Sequence, residues 1–248
     1  MAAQNRYDDP AFFAEYARLE RSVSGLAGAP EWPALRALLP PDLRGLRVLD
    51  LGCGYGWFCR WARESGAARV LGVDVSERML ARAAELTGDA GPAVTYARAD
   101  LETAAFEPGA FDLAYSSLAL HYVADLGALL KRVCGALVPG GRLVFSVEHP
   151  IYSAPVRQEW VRDADGRRAW PVSGYLDEGP RVTDWLGPGV LKQHRTVATY
   201  VNLLRESGFT LRRLEEWGPT PEQVAARPEW EGERDRPPFL LVAARREA

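Results

Sequence analysis

The chain has 248 residues, 47% hydrophobic and 25% charged, with 30 basic and 33 acidic side chains for a formal net charge of −3. This is the composition of a soluble globular protein, long enough for one packed α/β domain with an insertion and short for two full domains. It excludes the basic footprint that nucleic-acid binding favours, and no apolar run approaches the roughly 18 residues a membrane helix needs. The three cysteines, Cys53, Cys59 and Cys134, are odd in number and widely spaced, which argues against a disulfide framework or a zinc site. Residues 1–16 are polar, acidic around Asp8 and Asp9, and carry no apolar signal segment, so a cytoplasmic protein is expected.

Asp9 followed by Pro10 marks a helix start, because proline lacks only a donor that would be orphaned there. Phe12, Phe13, Tyr16 and Leu19 share one face of that helix, and a second short helix is expected over 32–39. Strands and helices then alternate: strand 46–51, helix 55–65, strand 69–74, helix 76–86 capped by Ser76, strand 94–99, strand 110–116 and helix 125–137. A turn at Pro139-Gly140-Gly141 leads to a fifth strand at 143–147. The alternation stops over 150–195, where Asp165-Gly166 and Gly187-Pro188-Gly189 signal two hairpins, 156–163 with 167–172 and 181–186 with 190–195. A helix over 196–207 and strands over 210–217 and 239–244 complete the chain, with the Glu-rich stretch 222–233 read as a solvated loop. The pattern predicts a Rossmann-like, doubly wound, mostly parallel seven-stranded sheet with helices on both faces. Its parts are an N-terminal helical cap (1–44), a core (45–149), an inserted antiparallel lid (150–195) and a completing segment (196–248).

The strongest chemical signal is Val48-Leu49-Asp50-Leu51-Gly52-Cys53-Gly54-Tyr55-Gly56, a strand running through a glycine-rich turn into a helix. Glycine lets the backbone turn sharply and lets a ligand approach without a Cβ in the way. In a dinucleotide site such a turn cradles a pyrophosphate, which the Asp50 carboxylate would repel. S-adenosylmethionine (SAM) has no phosphate and carries an ammonium and a sulfonium, so an acid there favours SAM over NAD. Asp74 closes the second strand and could accept both ribose hydroxyls; Asp100-Leu101 follows the third and could take the adenine amino group and ring face. Either acid alone could equally be a loop or capping residue. Three acids ending three successive strands beside a glycine turn weigh against coincidence.

Residues 48–56, 71–74, 99–101, 111–113 and 138–143 resemble the ordered motifs of the class I SAM-dependent methyltransferases, and are particularly similar to the bacterial small-molecule branch labelled type 11. The resemblance is strong over 45–148 and rests on topology beyond. It implies that Asp50, Gly52 and Gly54 surround the methionine part of SAM, with Cys53 in the same turn. It places Asp74, with Val75 beside it, at the ribose, Asp100, Leu101 and Met79 at the adenine, and Ser116 at the amino-acid end through its backbone. The family usually uses no metal, and none is expected here; the product would be S-adenosylhomocysteine (SAH).

The methyl acceptor is less specified. Candidate catalytic groups are His121, Glu148 and His149, beyond the ends of central strands where open α/β sheets bind ligands. Candidate substrate contacts are Tyr7 and Tyr16 in the cap and Tyr152, Trp160, Tyr175, His194 and Arg195 in the lid; each lone histidine could instead be a structural hydrogen-bonder. Arg157, Arg181 and Arg195 could read a substrate carboxylate. A small-molecule acceptor is expected, with neither nucleic acid nor membrane as partner, since Ser116-Ser117-Leu118-Ala119-Leu120-His121 stands where base or amide methylases carry an Asn/Asp-Pro-Pro-aromatic motif. The lid's exposed aromatic edge would also suit a homodimer contact. Competing readings are a SAM-binding protein of the same fold with a regulatory or non-methylating role, and an NAD-dependent oxidoreductase.

Overall fold

A computed structural model describes residues 4–88 and 93–247. Its frame is one seven-stranded sheet in the order β10-β11-β5-β4-β1-β2-β3. The strands are β1 (Arg47–Leu51), β2 (Arg69–Asp74), β3 (Val94–Arg98), β4 (Phe111–Ser117), β5 (Leu137–Glu148), β10 (Phe209–Trp217) and β11 (Phe239–Arg246). The first five pair in parallel, and β11 runs antiparallel to both β5 and β10. This is the doubly wound sheet that the alternation of apolar runs implies, and its central strands are mostly apolar because both faces are covered, Asp50 and Ser116 being buried exceptions.

The period of two along each strand divides the core. Leu49, Leu143, Phe145, Leu240 and Val242 face one layer, made by α6 (Leu126–Ala136) and α8 (Val197–Glu206) through Leu126, Leu129, Leu130, Val133, Tyr200 and Leu204. Val48, Val144, Leu241 and Ala243 face the other, where α3 (Trp32–Leu38) and α4 (Trp57–Glu64) contribute Leu35, Phe58, Cys59 and Ala62. Helix α5 (Glu77–Thr87) starts at Ser76, whose hydroxyl accepts from the Met79 amide. The N-terminal cap begins with α1 (Pro10–Ala17), whose Asp9 carboxylate accepts from the Ala11 and Phe12 amides, and continues through α2 (Glu20–Val23). Asp8 fastens this cap to the core by accepting from the Ser76 hydroxyl at 2.6 Å.

Two sequence expectations change. Pro139-Gly140-Gly141 does not end an element, because β5 begins at Leu137; Leu113 pairs with Arg142 only two residues after Phe111 pairs with Leu137, so the surplus residues bulge out of a continuous strand. The Glu-rich stretch is not a solvated loop: Thr220 and Gln223 form a reciprocal capping box for α9 (Pro221–Ala226), and a 3₁₀ segment follows over Pro228–Arg234.

The insertion contains the short α7 (Pro150–Ser153) and two separate hairpins. β6 (Val161–Arg162) pairs with β7 (Arg168–Ala169), and β8 (Gly179–Thr183) with β9 (Val190–His194). The first hairpin is largely exposed. The second is tied inward: Lys192, His194 and Arg195 are buried, and Gln4 bonds the Gly189 carbonyl and the Leu191 amide.

Candidate active site

A cavity of about 630 Å³ opens beyond the C-terminal ends of β1, β2, β4 and β5, in the range that holds small ligands. Gly52 and Gly54 form its floor with positive φ values of 71° and 52°. The Gly52 and Cys53 amides donate to the Val73 carbonyl at 2.8 and 3.0 Å, holding the turn against β2. A Cβ on Gly52 would lie 2.4 Å from that of Ala119, so the turn is closed on that side. A Cβ on Gly54 would meet only the Tyr16 hydroxyl, at 3.8 Å, and both residues line the cavity. Gly54 therefore leaves the vacant cradle that a ligand's approach requires.

Asp74 closes this cradle. Its carboxylate accepts from the Gly54 amide at 3.0 Å and the Ser76 amide at 2.9 Å, one bond on each oxygen. Each oxygen keeps a further lone pair, which suits a vicinal diol. Although it ends a strand, Asp74 is only 9% exposed; burial pushes its carboxyl up while the Ser76 and Gly54 amides oppose the shift. Val75, Met79, Asp100 and Leu101 continue the same wall.

Asp50, Cys53 and Ser116 stand behind the wall rather than on it. The side chain of Asp50 points to the α4 face of the sheet, is 2% exposed, and accepts from the Cys59 thiol at 3.2 Å. Burial, with a smaller contribution from Asp74, pushes its carboxyl up to about 7. The Cys53 sulfur turns toward Gly72, and the Ser116 hydroxyl donates to the Leu51 carbonyl at 2.7 Å. The Asp50 side chain thus lies outside the cavity lining.

At the other end, His121 lies in a 3₁₀ turn after β4, is 4% exposed and lines the cavity. Its Nδ1 accepts from the Glu148 amide at 3.3 Å, which leaves the proton on Nε2. Burial pushes the imidazole down to about 4, so it is a neutral donor. Glu148, at the end of β5, pairs through Oε1 with the buried Lys192 of β9 at 2.5 Å.

Other candidates take structural positions off the cavity. His149 caps α7, accepting from the Ile151 amide at Nδ1, and its Nε2 meets Glu216 at 3.0 Å. His194 donates from Nε2 to the Tyr175 carbonyl and accepts the Ser153 hydroxyl at Nδ1, both at 2.9 Å. The Tyr175 hydroxyl accepts from the Val197 amide. Arg195 donates through Nη2 to the Val123 and Ala124 carbonyls, its buried Nη1 having no partner among the described residues, and Arg181 donates to the carbonyls of Ala154 and Asp177; neither lines the cavity. Arg157 is exposed. Trp160 has the Arg168 guanidinium over its ring and meets Trp170 edge to face.

Tyr7, Tyr16 and Tyr152 do line the cavity, as does Trp185, another aromatic candidate of the lid; they are joined by residues the sequence reading did not assign there: Tyr122, Trp217, Trp230, Arg236 and Phe239. The density of tryptophan and arginine between 217 and 239 was the available signal. Among the described residues no helix is long and apolar enough to cross a membrane.

Residues 49–145 match a family model described as Methyltransferase domain, type 11. A protein of Haemophilus influenzae is 34% identical over 97% of this chain and 96% of its own length. The crystal structure of an S-adenosylmethionine dependent methyltransferase from Mesorhizobium loti superposes with a TM-score of 0.85 at 59% identity, over 90% of this chain and 100% of that one. The malonyl-[acyl-carrier protein] O-methyltransferase of Erwinia billingiae is 38% identical, but only over 42% of this chain and 39% of that protein.

Proposed function

The chain belongs to the S-adenosylmethionine-dependent methyltransferases, and on that premise we propose that it methylates a small molecule held in the cavity beside the cofactor. The observation that carries this is the continuity of one cavity, from the Gly54 cradle and Asp74 to His121, Glu148 and the aromatic end. In this reading Gly52, Gly54 and Asp74 hold the amino-acid and ribose parts of SAM, and Val75, Met79, Asp100 and Leu101 its adenine. Ser116 and Cys53 act only through the backbone they support, and Asp50 through the turn it braces from behind. Bound SAM supplies an electrophilic methyl group, so the chain's task is to orient an acceptor and exclude water. Orientation contributes several of the roughly 7–11 kcal/mol open to well-aligned reactions. His121, its Nδ1 already occupied, serves as a hydrogen-bond donor rather than a base.

Residues 1–44 are the cap, 45–149 with 196–248 the core, and 150–195 the lid. This division is supported by the cap's Tyr7 and Tyr16 and the lid's Tyr152, Trp185, Leu191 and Gln193, which meet over one cavity. A concave cavity of about 630 Å³ favours a small acceptor over nucleic acid, and three free cysteines suit a reducing, cytoplasmic setting. Calorimetry with SAM, SAH and NAD tests the proposal. SAM and SAH bind and stabilise the fold, by about 3 kcal/mol at a hundredfold excess over Kd, and NAD does neither. Heat with NAD and none with SAM or SAH refutes it. Labelled SAM with cell extract then identifies the acceptor.

A further inference from the structure

The acceptor end of the cavity carries a charge pattern that narrows the substrate, granted the methyltransferase reading above. Each ionised group in its interior is already neutralised. Glu148 pairs with Lys192 at 2.5 Å, Glu233 with Arg236 at 2.5 Å, and Arg21 with Glu31 at 3.0 Å. The charges on that part of the wall without such an ion pair, Glu20 and Arg227, are exposed. A carboxylate, phosphate or ammonium placed between neutral pairs would lose its hydration without gaining a counter-charge, which costs several kcal/mol.

Two of the pairs are nevertheless incomplete. Glu148 Oε2 and Glu233 Oε2 are buried and lack a hydrogen-bond partner among the described residues. An ionised carboxylate only accepts, so both oxygens call for an O–H or N–H. Aromatic rings line the same cavity. Trp217 and Phe239 stack with centroids 5.5 Å apart at 23°, and Tyr152 has the Arg236 guanidinium 4.2 Å from its ring centroid. Such walls favour a planar π-system over a flexible chain.

We infer that the methyl acceptor is an uncharged planar aromatic molecule bearing a hydroxyl or N–H group, and that Glu148 is the base that receives its proton. The acceptor's oxygen or nitrogen forms the new bond to the methyl carbon. The methyl–sulfur bond breaks with its electron pair left on sulfur, and the displaced proton passes to Glu148 Oε2 and then to solvent. Lys192, bound to the other oxygen, keeps the carboxylate aimed.

The test uses the full chain saturated with SAH and four probes, followed by calorimetry: 2-naphthol, decahydro-2-naphthol, 2-methoxynaphthalene and 2-naphthoate. 2-Naphthol binds at least tenfold more tightly than the saturated, O-methylated and anionic analogues. Equal or tighter binding of any analogue, or no binding of 2-naphthol by protein that does bind SAH, overturns the inference. Failure to bind SAH counts against the methyltransferase reading instead. In Glu148→Gln the preference for 2-naphthol over 2-methoxynaphthalene falls at least fivefold while SAH affinity holds. Because that substitution strands the Lys192 charge, the double variant Glu148→Gln/Lys192→Met, which removes both charges, is measured alongside. A preference unchanged in both variants rules out Glu148 as the proton acceptor.

Discussion

Replacing Asp50 by asparagine should make the protein's stability less sensitive to pH, by an amount the structure sets. The carboxyl sits 2% exposed behind the glycine turn, with the Cys59 thiol as its hydrogen-bond donor, and burial raises it from 3.8 to about 7. Between those values the folded chain keeps a proton that the unfolded chain releases, so stability falls as pH rises through the window. Three units at 1.36 kcal/mol each is on the order of 4 kcal/mol lost between about pH 4 and pH 8. Asparagine has nearly the same shape and no charge to bury. Its amide hydrogens lack acceptors there and cost about 1–3 kcal/mol, but that cost is independent of pH. The stability difference between Asp50→Asn and the parent, from urea unfolding of the cofactor-free proteins at pH 4.5, 6, 7 and 8, should therefore move in the variant's favour by several kcal/mol with rising pH. Every other titrating group is common to both proteins and cancels. A difference that stays flat within about 1 kcal/mol would show that Asp50 is already ionised and compensated in the fold.

Asp74→Ala removes the acceptor of the Gly54 and Ser76 amides and should cost about 2–4 kcal/mol in urea unfolding, together with at least tenfold in SAH affinity by calorimetry. Lost stability with intact affinity in the folded fraction would remove Asp74 from the ribose site. Gly54→Val places a branched side chain at φ 52° and into the cradle, so SAH binding should vanish in calorimetry while the fold loses about 1–2 kcal/mol. His149→Ala should cost about 1 kcal/mol through the lost α7 cap and leave SAH affinity and turnover unchanged. In hydrogen exchange, amides of β6 and β7 should exchange well before those of β9, which is packed through buried Lys192 and His194. Replacing residues 155–189 by a Gly/Ser linker should spare SAH binding and cut methyl transfer by orders of magnitude.

Where an inference needed only local physics, the sequence carried it. Asp9 and Ser76 each cap the helix their pattern announces, because a cap depends on residues within one turn. The bulge at Pro139-Gly141 was invisible because continuing β5 depends on partners in β4 and β11, not on the turn residues themselves. The site divides along the same line. Gly54, Asp74 and Leu101 could be placed because they lie at the ends of successive parallel strands, where topology alone brings them together. His149 and His194 could not be sorted from His121, since all three are histidines beside apolar strands. Only their partners distinguish a cap, a buried tie and a cavity donor.

The sequence by itself determined the alternation of strands and helices, the glycine turn, and the strand-end acids Asp74 and Asp100 that line the cavity. Those features repeat with a period or stand within a few residues of one another. Tertiary structure decided the rest. It turned Asp50 away from the cavity and buried Asp74. It joined Lys192 to Glu148 across 44 positions of chain and brought Trp217, Trp230 and Arg236 over the acceptor end. The physical reason is that a strand's register fixes which face a side chain occupies, whereas the pairing of a buried charge depends on segments remote in sequence. Local pattern encodes the first, and only the packed fold assembles the second.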